Sequence, residues 1–327
     1  MRVLFIGGTG IISSACTKLA VENGIELYHL NRGNSIRPIP EAVQTIIGDI
    51  RNKDSIKKKI NDKKFDVVVD WVAYIPEHIE TDLELFKDRV GQYIFISSAS
   101  AYQTPPAKLP VTEDTPLDNP FWKYSQGKID CEKRLQEAYE SDKFPITIVR
   151  PSHTYDRMTL PLHGRFTTVN RMRKGKKVIV HGDGSSIWVL THHKDFAKGF
   201  VGLLGNPKAV GEAYHITSDE LLTWNQIYDL IAEAAGTEAK KVHIPSDIIN
   251  KYDKEWGEGL LGDKAHSMIF DNSKIKNLVP EFEAAIPFSQ GAKEIISWVD
   301  EDQTRQVIDE SLDKQMDEMI NSFESLI

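Results

Sequence analysis

The stretch Val3-Leu4-Phe5-Ile6-Gly7-Gly8-Thr9-Gly10-Ile11-Ile12-Ser13 decides how the rest of the chain is read. Residues 3–6 form an unbroken apolar run, too short for a helix and stopped by glycine, which predicts a strand buried on both faces. The glycines that follow have no Cβ and turn tightly. Backbone around Gly7, Thr9, Gly10, Ile11 and Ile12 is therefore expected to hold a diphosphate at the start of the next helix. That helix is predicted over residues 11–23 and closed by Gly24. Ser13 stands where a third glycine commonly falls, and it is small enough to let helix and strand pack closely.

A second strand, predicted over 26–30, ends 21 residues beyond Gly10 in Asn31-Arg32-Gly33. An acidic residue at this place would hold the ribose 2′-hydroxyl of NAD. Asn31 offers no carboxylate to repel a 2′-phosphate and Arg32 stands beside it, so NADP and NAD are both candidates, with a lean to NADP. The same tripeptide also reads as a plain turn.

The chain has 327 residues and a net charge of −8, with ordinary apolar content. It is long enough to bury a large core in two lobes. Its acidity opposes non-specific attachment to nucleic acid or anionic lipid. The first strand begins at residue 2, leaving no room for a signal-peptide n-region, and no apolar run approaches the roughly 18 residues of a membrane span. A cytoplasmic location is expected. Cys16 and Cys131 fall in predicted helices and read as reduced core residues, and no metal-ligand spacing occurs.

Further strands are predicted at 43–47, 65–71, 93–97 and 146–149, with a lysine-rich helix at 54–60. Strands alternating with helices predict an α/β fold of the Rossmann type, a doubly wound parallel sheet whose ligands sit at the carboxyl ends of the strands. Beyond Arg150 the alternation breaks down, which predicts a smaller, mixed carboxyl-terminal substrate lobe. Here 160–170 reads as loop, 178–180 as a short strand, Asp195 as the cap of a helix to 204, and 213–217 as a strand. Thr223 and Gln226 form a capping box for a helix to 235, and 257–262 reads as a flexible loop near the mouth of the second lobe. From Thr304 onward Ile308, Leu312, Met316, Met319, Phe323 and Ile327 share one helical face, to pack on the body or on a partner subunit. The expected organisation is a dinucleotide-binding domain over 1–152 to which 192–217 returns, a substrate lobe from 153–191 and 218–300, and a terminal amphipathic helix over 301–327.

Tyr124 and Lys128 are four residues apart, one helical turn, so an ammonium near the phenol is expected to lower its pKa toward the working range. Tyr139 and Lys143 have the same spacing, but they end the helix just before the sixth strand, away from the strand carboxyl ends. Ser98 follows the fifth strand in Ser97-Ser98-Ala99-Ser100-Ala101-Tyr102 and brings a hydroxyl to the crevice toward which Tyr124 would point. Such a serine can fix the oxygen that gains or loses a proton. It can equally belong to a turn that satisfies its own backbone.

These pieces recur in a fixed order with Gly48-Asp49-Ile50, residues 67–73, Val111-Thr-Glu-Asp-Thr-Pro116, Val149-Arg-Pro151, Gly182-Asp-Gly184 and Asp195-Phe-Ala197. Together they make the chain resemble the extended short-chain dehydrogenases/reductases, the NAD-dependent epimerases/dehydratases, from residue 3 to about 300. The resemblance implies that Asp49 and Ile50 contact adenine and that Val72 and Ala73 line the cofactor channel. It implies that Lys128 holds the nicotinamide ribose, with Ser97, Pro151 and His153 nearby. Tyr124 would be the acid–base residue and Ser98 its helper, with the hard step supplied by the cofactor.

The departures lie in the substrate half. Where nucleotide-sugar members carry a diphosphate-binding asparagine and arginine, this chain has His153 and Trp188. An aromatic cannot make the bidentate contact an arginine gives a phosphate. Arg165 or Arg171 is a possible substitute, and Ser100, Tyr74, His153, Arg165 and Trp188 are the candidate substrate contacts. The adjacent His192 and His193 lack a third ligand and read as structural.

The expectation is an NAD(P)-dependent oxidoreductase or epimerase acting on a small, sugar-like hydroxyl or keto compound, dimerising through the Tyr124 helix and the one before the fifth strand. The alternative is a non-catalytic NAD(P)-binding regulatory or RNA-associated protein, since Asn31-Arg32-Gly33 resembles the turn of chloroplast stem-loop-binding relatives. The intact Ser98, Tyr124 and Lys128 set and the acidic charge weigh against RNA.

Overall fold

The computed structural model describes residues 1–325. Its first half runs β1 (Arg2–Ile6), α1 (Ile11–Glu22), β2 (Glu26–Asn31), β3 (Gln44–Ile47), α2 (Lys53–Ile60), β4 (Val67–Asp70), α3 (Pro76–Phe86), β5 (Gln92–Ile96), α4 (Lys123–Asp142) and β6 (Ile146–Pro151). After β7 (His153–Tyr155), α5 (Phe166–Arg173), β8 (Lys177–His181), β9 (Ile187–Trp188), β10 (Leu190–His192) and α6 (His193–Val201), the chain returns as β11 (Ala213–Ile216). The remainder is β12 (Leu222–Thr223), α7 (Trp224–Ala234), β13 (Lys240–Ile244), α8 (Ser246–Tyr252), α9 (Lys254–Gly259), α10 (Ser273–Leu278), α11 (Phe288–Asp300) and α12 (Glu310–Glu324).

The main sheet has seven strands in the order β11-β6-β5-β4-β1-β2-β3, all parallel. Its central strands are apolar runs because helices cover both faces. Alternate side chains of β1 enter different cores, Phe5 with Trp71, Phe196 and Phe200 on one face, Leu4 and Ile6 with Val68, Tyr93 and Leu135 on the other. The chain leaves β1 in opposite directions toward β2 and β4, so the crevice opens between the carboxyl ends of β1 and β4.

The second lobe is built on three two-stranded pairs, β8 with β13, β9 with β12 and β7 with β10. Phe166, Val169, Trp188, Ile227 and Phe288 share its core. Three local expectations are corrected. Residues 160–170 are not all loop, because α5 starts at Phe166 and buries Phe166, Val169 and Met172. Asp195 lies inside the first turn of α6, whose cap is the His192 imidazole accepting from Lys194 N–H at 3.3 Å. The glycine-rich 257–262 is helical, held by Trp256 and Leu260 packed with Ile249, Met316 and Met319. Local glycine content is overridden there by burial.

α12 packs on this lobe through Met316, Met319 and Ile320, while Ile308 is exposed and Ile327 lies outside the described residues. Charge reinforces the docking. Buried Arg171 donates to Asp313 at 2.6 Å and Asp317 at 2.7 Å, and Lys176 reaches both carboxylates at 2.8 Å.

Candidate active site

The turn after β1 is braced from two sides. Ser13 Oγ donates to the Gly7 carbonyl at 3.0 Å and accepts from Gly10 N–H at 2.7 Å, so it fastens the turn as well as being small. Beneath it, Thr17 Oγ1 donates to the Gly8 carbonyl at 3.1 Å and lies 2.9 Å from Nε2 of buried His29. The Asn31 amide approaches His29 Nδ1 at 3.4 Å, so this side chain points inward, whereas Arg32 is exposed at the same turn. Gly7 has φ +90°, in the left-handed region that glycine occupies freely.

Burial pushes His29 and His181 down to about 4. Both stay neutral in the fold while the unfolded chain takes up protons below about pH 6.5. Stability is therefore expected to be full above that pH and to fall as pH drops toward 4, by about 1.4 kcal/mol per pH unit for each histidine. Urea unfolding at pH 7.5 and at pH 5 reads this loss. His29→Gln is expected to flatten the slope, and an unchanged slope would remove His29 from the explanation.

The residues along the crevice fit a dinucleotide. The first turn of α1 carries no acidic residue and no side-chain cap, leaving its N–H groups open to an anion. Ser97 Oγ, at the end of β5, is buried without a hydrogen-bond partner among the described residues. After β3 Asp49 is exposed and caps Arg51 N–H at 3.0 Å, while Ile50 is buried. Arg37 was legible only as loop, yet it donates to Asp156 at 2.5 Å across 119 residues. The Asp156 charge reaches His193, whose imidazole meets the Ile11 carbonyl at 3.3 Å.

α4 presents Tyr124 and Lys128 from successive turns. It packs tightly against the strand end because Gly127 has no side chain, and a Cβ there would overlap the Tyr74 carbonyl. Ser98 lines the same cavity as Tyr124 and lies 2.9 Å from Ser100 Oγ, which accepts from Ser125 Oγ at 2.8 Å. Lys128 is buried and donates to the carbonyls of Ala73 at 2.6 Å and Ile96 at 2.7 Å. Desolvation lowers it to about 8, partly offset by Asp70.

The expected lowering of the Tyr124 pKa is overturned. Its pKa rises because burial, then Tyr74 and Asp263, outweigh the lowering influence of nearby Ser98. Lys128 is 5.8 Å from the Tyr124 ring centre and its donors are turned to backbone carbonyls. Tyr139 and Lys143 stand at the far end of α4, with Lys143 in its left-handed cap.

Beside Tyr124 is a cavity of about 230 Å³. Ser98, Ser100, Pro151, His153 and Trp188 line it, so sequence positions 98 to 188 do converge. Burial pushes His153 down to about 3, with Lys264 adding to the effect, so its ring is neutral. Tyr74 stands next to this wall, its ring 6.1 Å from that of Tyr124. Arg165 is exposed at the start of α5 and is not part of the lining, and Arg171 is committed to α12.

Asp263 and Lys264 escaped the sequence reading. They enter the cavity from the turn after α9, their carboxylate and ammonium 3.2 Å apart. Lys264 lies 5.4 Å from the Trp122 ring centre and 5.7 Å from that of Trp188. Burial raises the Asp263 pKa. The only signal was the glycine run nearby: a Cβ at Gly262 would come within 2.7 Å of Trp122 Cβ. Among the described residues no cluster of three or more His, Cys, Asp or Glu is placed to hold a metal. His192 bonds Glu294 at 3.1 Å.

A parallel sheet with this switch point, an open helix start and a Ser-Tyr-Lys constellation at the strand ends defines a nicotinamide-dinucleotide protein of the short-chain dehydrogenase kind. The chain belongs to the NAD dependent epimerase/dehydratase family, whose sequence profile matches residues 3–217. Epimerases, dehydratases and reductases all occur among its relatives and structural neighbours. It is 28% identical over 249 residues to the chloroplast stem-loop binding protein of 41 kDa b of Arabidopsis thaliana, covering 72% of this chain and 63% of that protein. It is 23% identical over 287 residues to the 2′-dehydrokanamycin reductase of Streptomyces kanamyceticus, covering 86% of this chain and 80% of that protein. The fold matches the UDP-glucuronic acid 4-epimerase of Bacillus cereus, solved with UDP-glucuronic acid and NAD, at a TM-score of 0.74. That match has 21% identity and covers 92% of this chain and 99% of the other. No helix among the described residues is long and apolar enough to cross a membrane.

Proposed function

We propose that the protein transfers hydride between a nicotinamide cofactor and a carbinol or carbonyl carbon of a small, sugar-like substrate. The observation that carries this is the cavity of about 230 Å³ that Tyr124 and Ser98 line together at the strand ends. The nicotinamide, when bound, supplies the two-electron acceptor or donor. Tyr124 exchanges the proton of the reacting hydroxyl, Ser98 steadies that oxygen, and the third Lys128 donor would hold a ribose hydroxyl of the cofactor. The raised pKa keeps the phenol protonated at neutral pH, the form that gives a proton to a carbonyl.

The indoles of Trp122 and Trp188 offer flat apolar faces to a ring, and the Asp263–Lys264 pair offers an acceptor and a donor to neighbouring hydroxyls. A small polyol fits this lining, and the reductase relative is consistent with it. NADP is preferred over NAD because Arg32 is exposed where a 2′-phosphate would lie. The RNA-associated reading has no comparable support in the cleft, and the net charge of −8 opposes it. The reading includes a cytoplasmic homodimer assembled through α3 and α4.

One purified sample tests it. Any co-purifying nucleotide is removed and identified, and NADH and NADPH are titrated by fluorescence, followed by light scattering of the same protein. NADPH is expected to bind more tightly than NADH and to exchange. Tightly held NAD would overturn the NADP preference and point to an epimerase cycle. Binding of neither would remove the basis of the proposal, and a monomer at micromolar concentration would remove the dimer.

A further inference from the structure

Two carboxyl groups lie beneath the cofactor crevice, and the cleft chemistry does not use them. Asp70 ends β4, Asp82 is on α3, and both are fully buried. Asp70 Oδ1 accepts from the N–H groups of Val72 at 2.5 Å and Ala73 at 2.9 Å. Asp82 Oδ2 accepts from the buried Tyr93 phenol at 2.6 Å. The remaining oxygens, Asp70 Oδ2 and Asp82 Oδ1, receive no donor from any other described residue. The Asp70 charge nevertheless acts on the Asp82 carboxyl and raises it. A carboxylate has only acceptors, so two neighbouring carboxyl groups bond each other only when one of the two carries a proton. A pair of bare carboxylates, desolvated side by side, would be strongly unfavourable.

We infer that Asp70 and Asp82 share one proton at neutral pH, with Asp82 as the acid that donates to Asp70. Through Asp70 the pair sets the Val72–Ala73 turn that holds Lys128. The assignment between the two follows from their partners. Asp70 receives two backbone N–H donors and Asp82 receives one phenol. Burial, then the Asp70 charge, pushes Asp82 well above the usual carboxylate range.

The groups around the pair fit this charge state. Arg51, from the segment before α2, donates to the Val72 carbonyl at 2.6 Å. Lys128 of α4 donates to the Ala73 carbonyl at 2.6 Å, and Cys131 and Glu132 of the same helix add to its surroundings. Tyr93 of β5 faces Asp82, and His78 of α3 accepts from Tyr74 N–H at 3.1 Å. The Val72–Ala73 turn is thus held through its N–H groups by Asp70 and through its carbonyls by two cations. Asp82 is a positioning residue, since it reaches Lys128 only through Asp70 and this backbone. The positioning half rests on the functional reading above, and the shared proton does not.

Infrared spectroscopy of the full chain at pH 7 tests the proton directly. Wild type is expected to show a protonated carboxylic-acid carbonyl band, shifted in D₂O, that Asp82→Asn removes. The amide keeps a donor toward Asp70, so Asp82→Asn is also expected to bind NADPH within about twofold of wild type, whereas Asp82→Ala binds it about tenfold more weakly. If Asp82→Asn leaves every acid band in place, the shared proton is overturned. If Asp70→Asn alone removes the band, the assignment to Asp82 is overturned. Unchanged NADPH affinity in Asp82→Ala would overturn the positioning role. Should Asp82→Ala not fold, the Asp82→Asn affinity decides it, a loss as large as tenfold counting against a positioning donor. If wild type itself binds no nucleotide, the functional reading fails while the band still reports on the acid pair.

Discussion

Tyr124→Phe lowers turnover by about 10²- to 10⁴-fold while leaving nucleotide affinity close to wild type. A positioned acid–base group contributes on that scale, and removing only the hydroxyl keeps the ring that packs against Trp122, their centroids 4.9 Å apart. Ser98→Ala removes the hydroxyl that lines the cavity beside the phenol and is expected to cost about tenfold. Turnover is read as nicotinamide absorbance with the sugar or carbonyl compound on which wild type is most active. The pH profile adds a second readout. The phenol is raised beyond the neutral range, so the first alkaline break is expected near 8, from Lys128 losing its proton. Full activity in Tyr124→Phe would take the proton transfer away from this residue.

Arg150→Ala destabilises the protein by about 3–5 kcal/mol, the usual cost of leaving one partner of a buried ion pair alone. The Arg150 and Glu132 side chains are only 6% and 3% exposed, joined by bonds at 3.0 and 2.6 Å. Arg150 also donates to the Tyr102 phenol and to the Glu113 carbonyl, both at 3.2 Å. Tyr102 Oη meets His215 Nδ1 at 3.0 Å, and His215 Nε2 meets the Asp271 carbonyl at 2.7 Å. The network therefore ties α4, β6, β11 and the segments around residues 102, 113 and 271 into one body behind the cleft. Guanidinium unfolding measures the loss. Replacing both charges, Arg150→Met with Glu132→Leu, is expected to recover most of it, since an uncharged pair needs no partner. A loss under 1 kcal/mol for Arg150→Ala would show that water or rearrangement satisfies Glu132.

Much of the dinucleotide half is legible in sequence because its signals are local. A buried parallel strand must be apolar on both faces, so residues 3–6 announce β1 without reference to anything distant. Glycine at 7, 8 and 10 and the helix after it follow from backbone sterics alone. Position relative to strand ends separates Tyr124 and Lys128 from the equally spaced Tyr139 and Lys143, and the fold places the two pairs at opposite ends of α4. The same reasoning erred where a local rule met tertiary packing. Residues 257–262 are glycine-rich yet helical because Trp256 and Leu260 are buried under α12. Phe166 starts a helix inside a stretch that reads as loop.

By itself, the sequence determined the α/β class, the parallel sheet, the turn and helix that open the chain, and the family. Each depends on residue type at short spacing. Tertiary structure alone decided the electrostatics of the cleft. Whether Lys128 lowers the Tyr124 pKa depends on where its ammonium is directed, and Ala73 and Ile96 carbonyls claim it. Lys264 meets Trp122 and Trp188 only because segments 142 and 76 residues away in sequence converge on one cavity. The acid pair of Asp70 and Asp82 arises only when a strand end and a helix are packed in the same dry layer. Charge and proton positions follow from desolvation and distance, and neither is a property of neighbours in sequence.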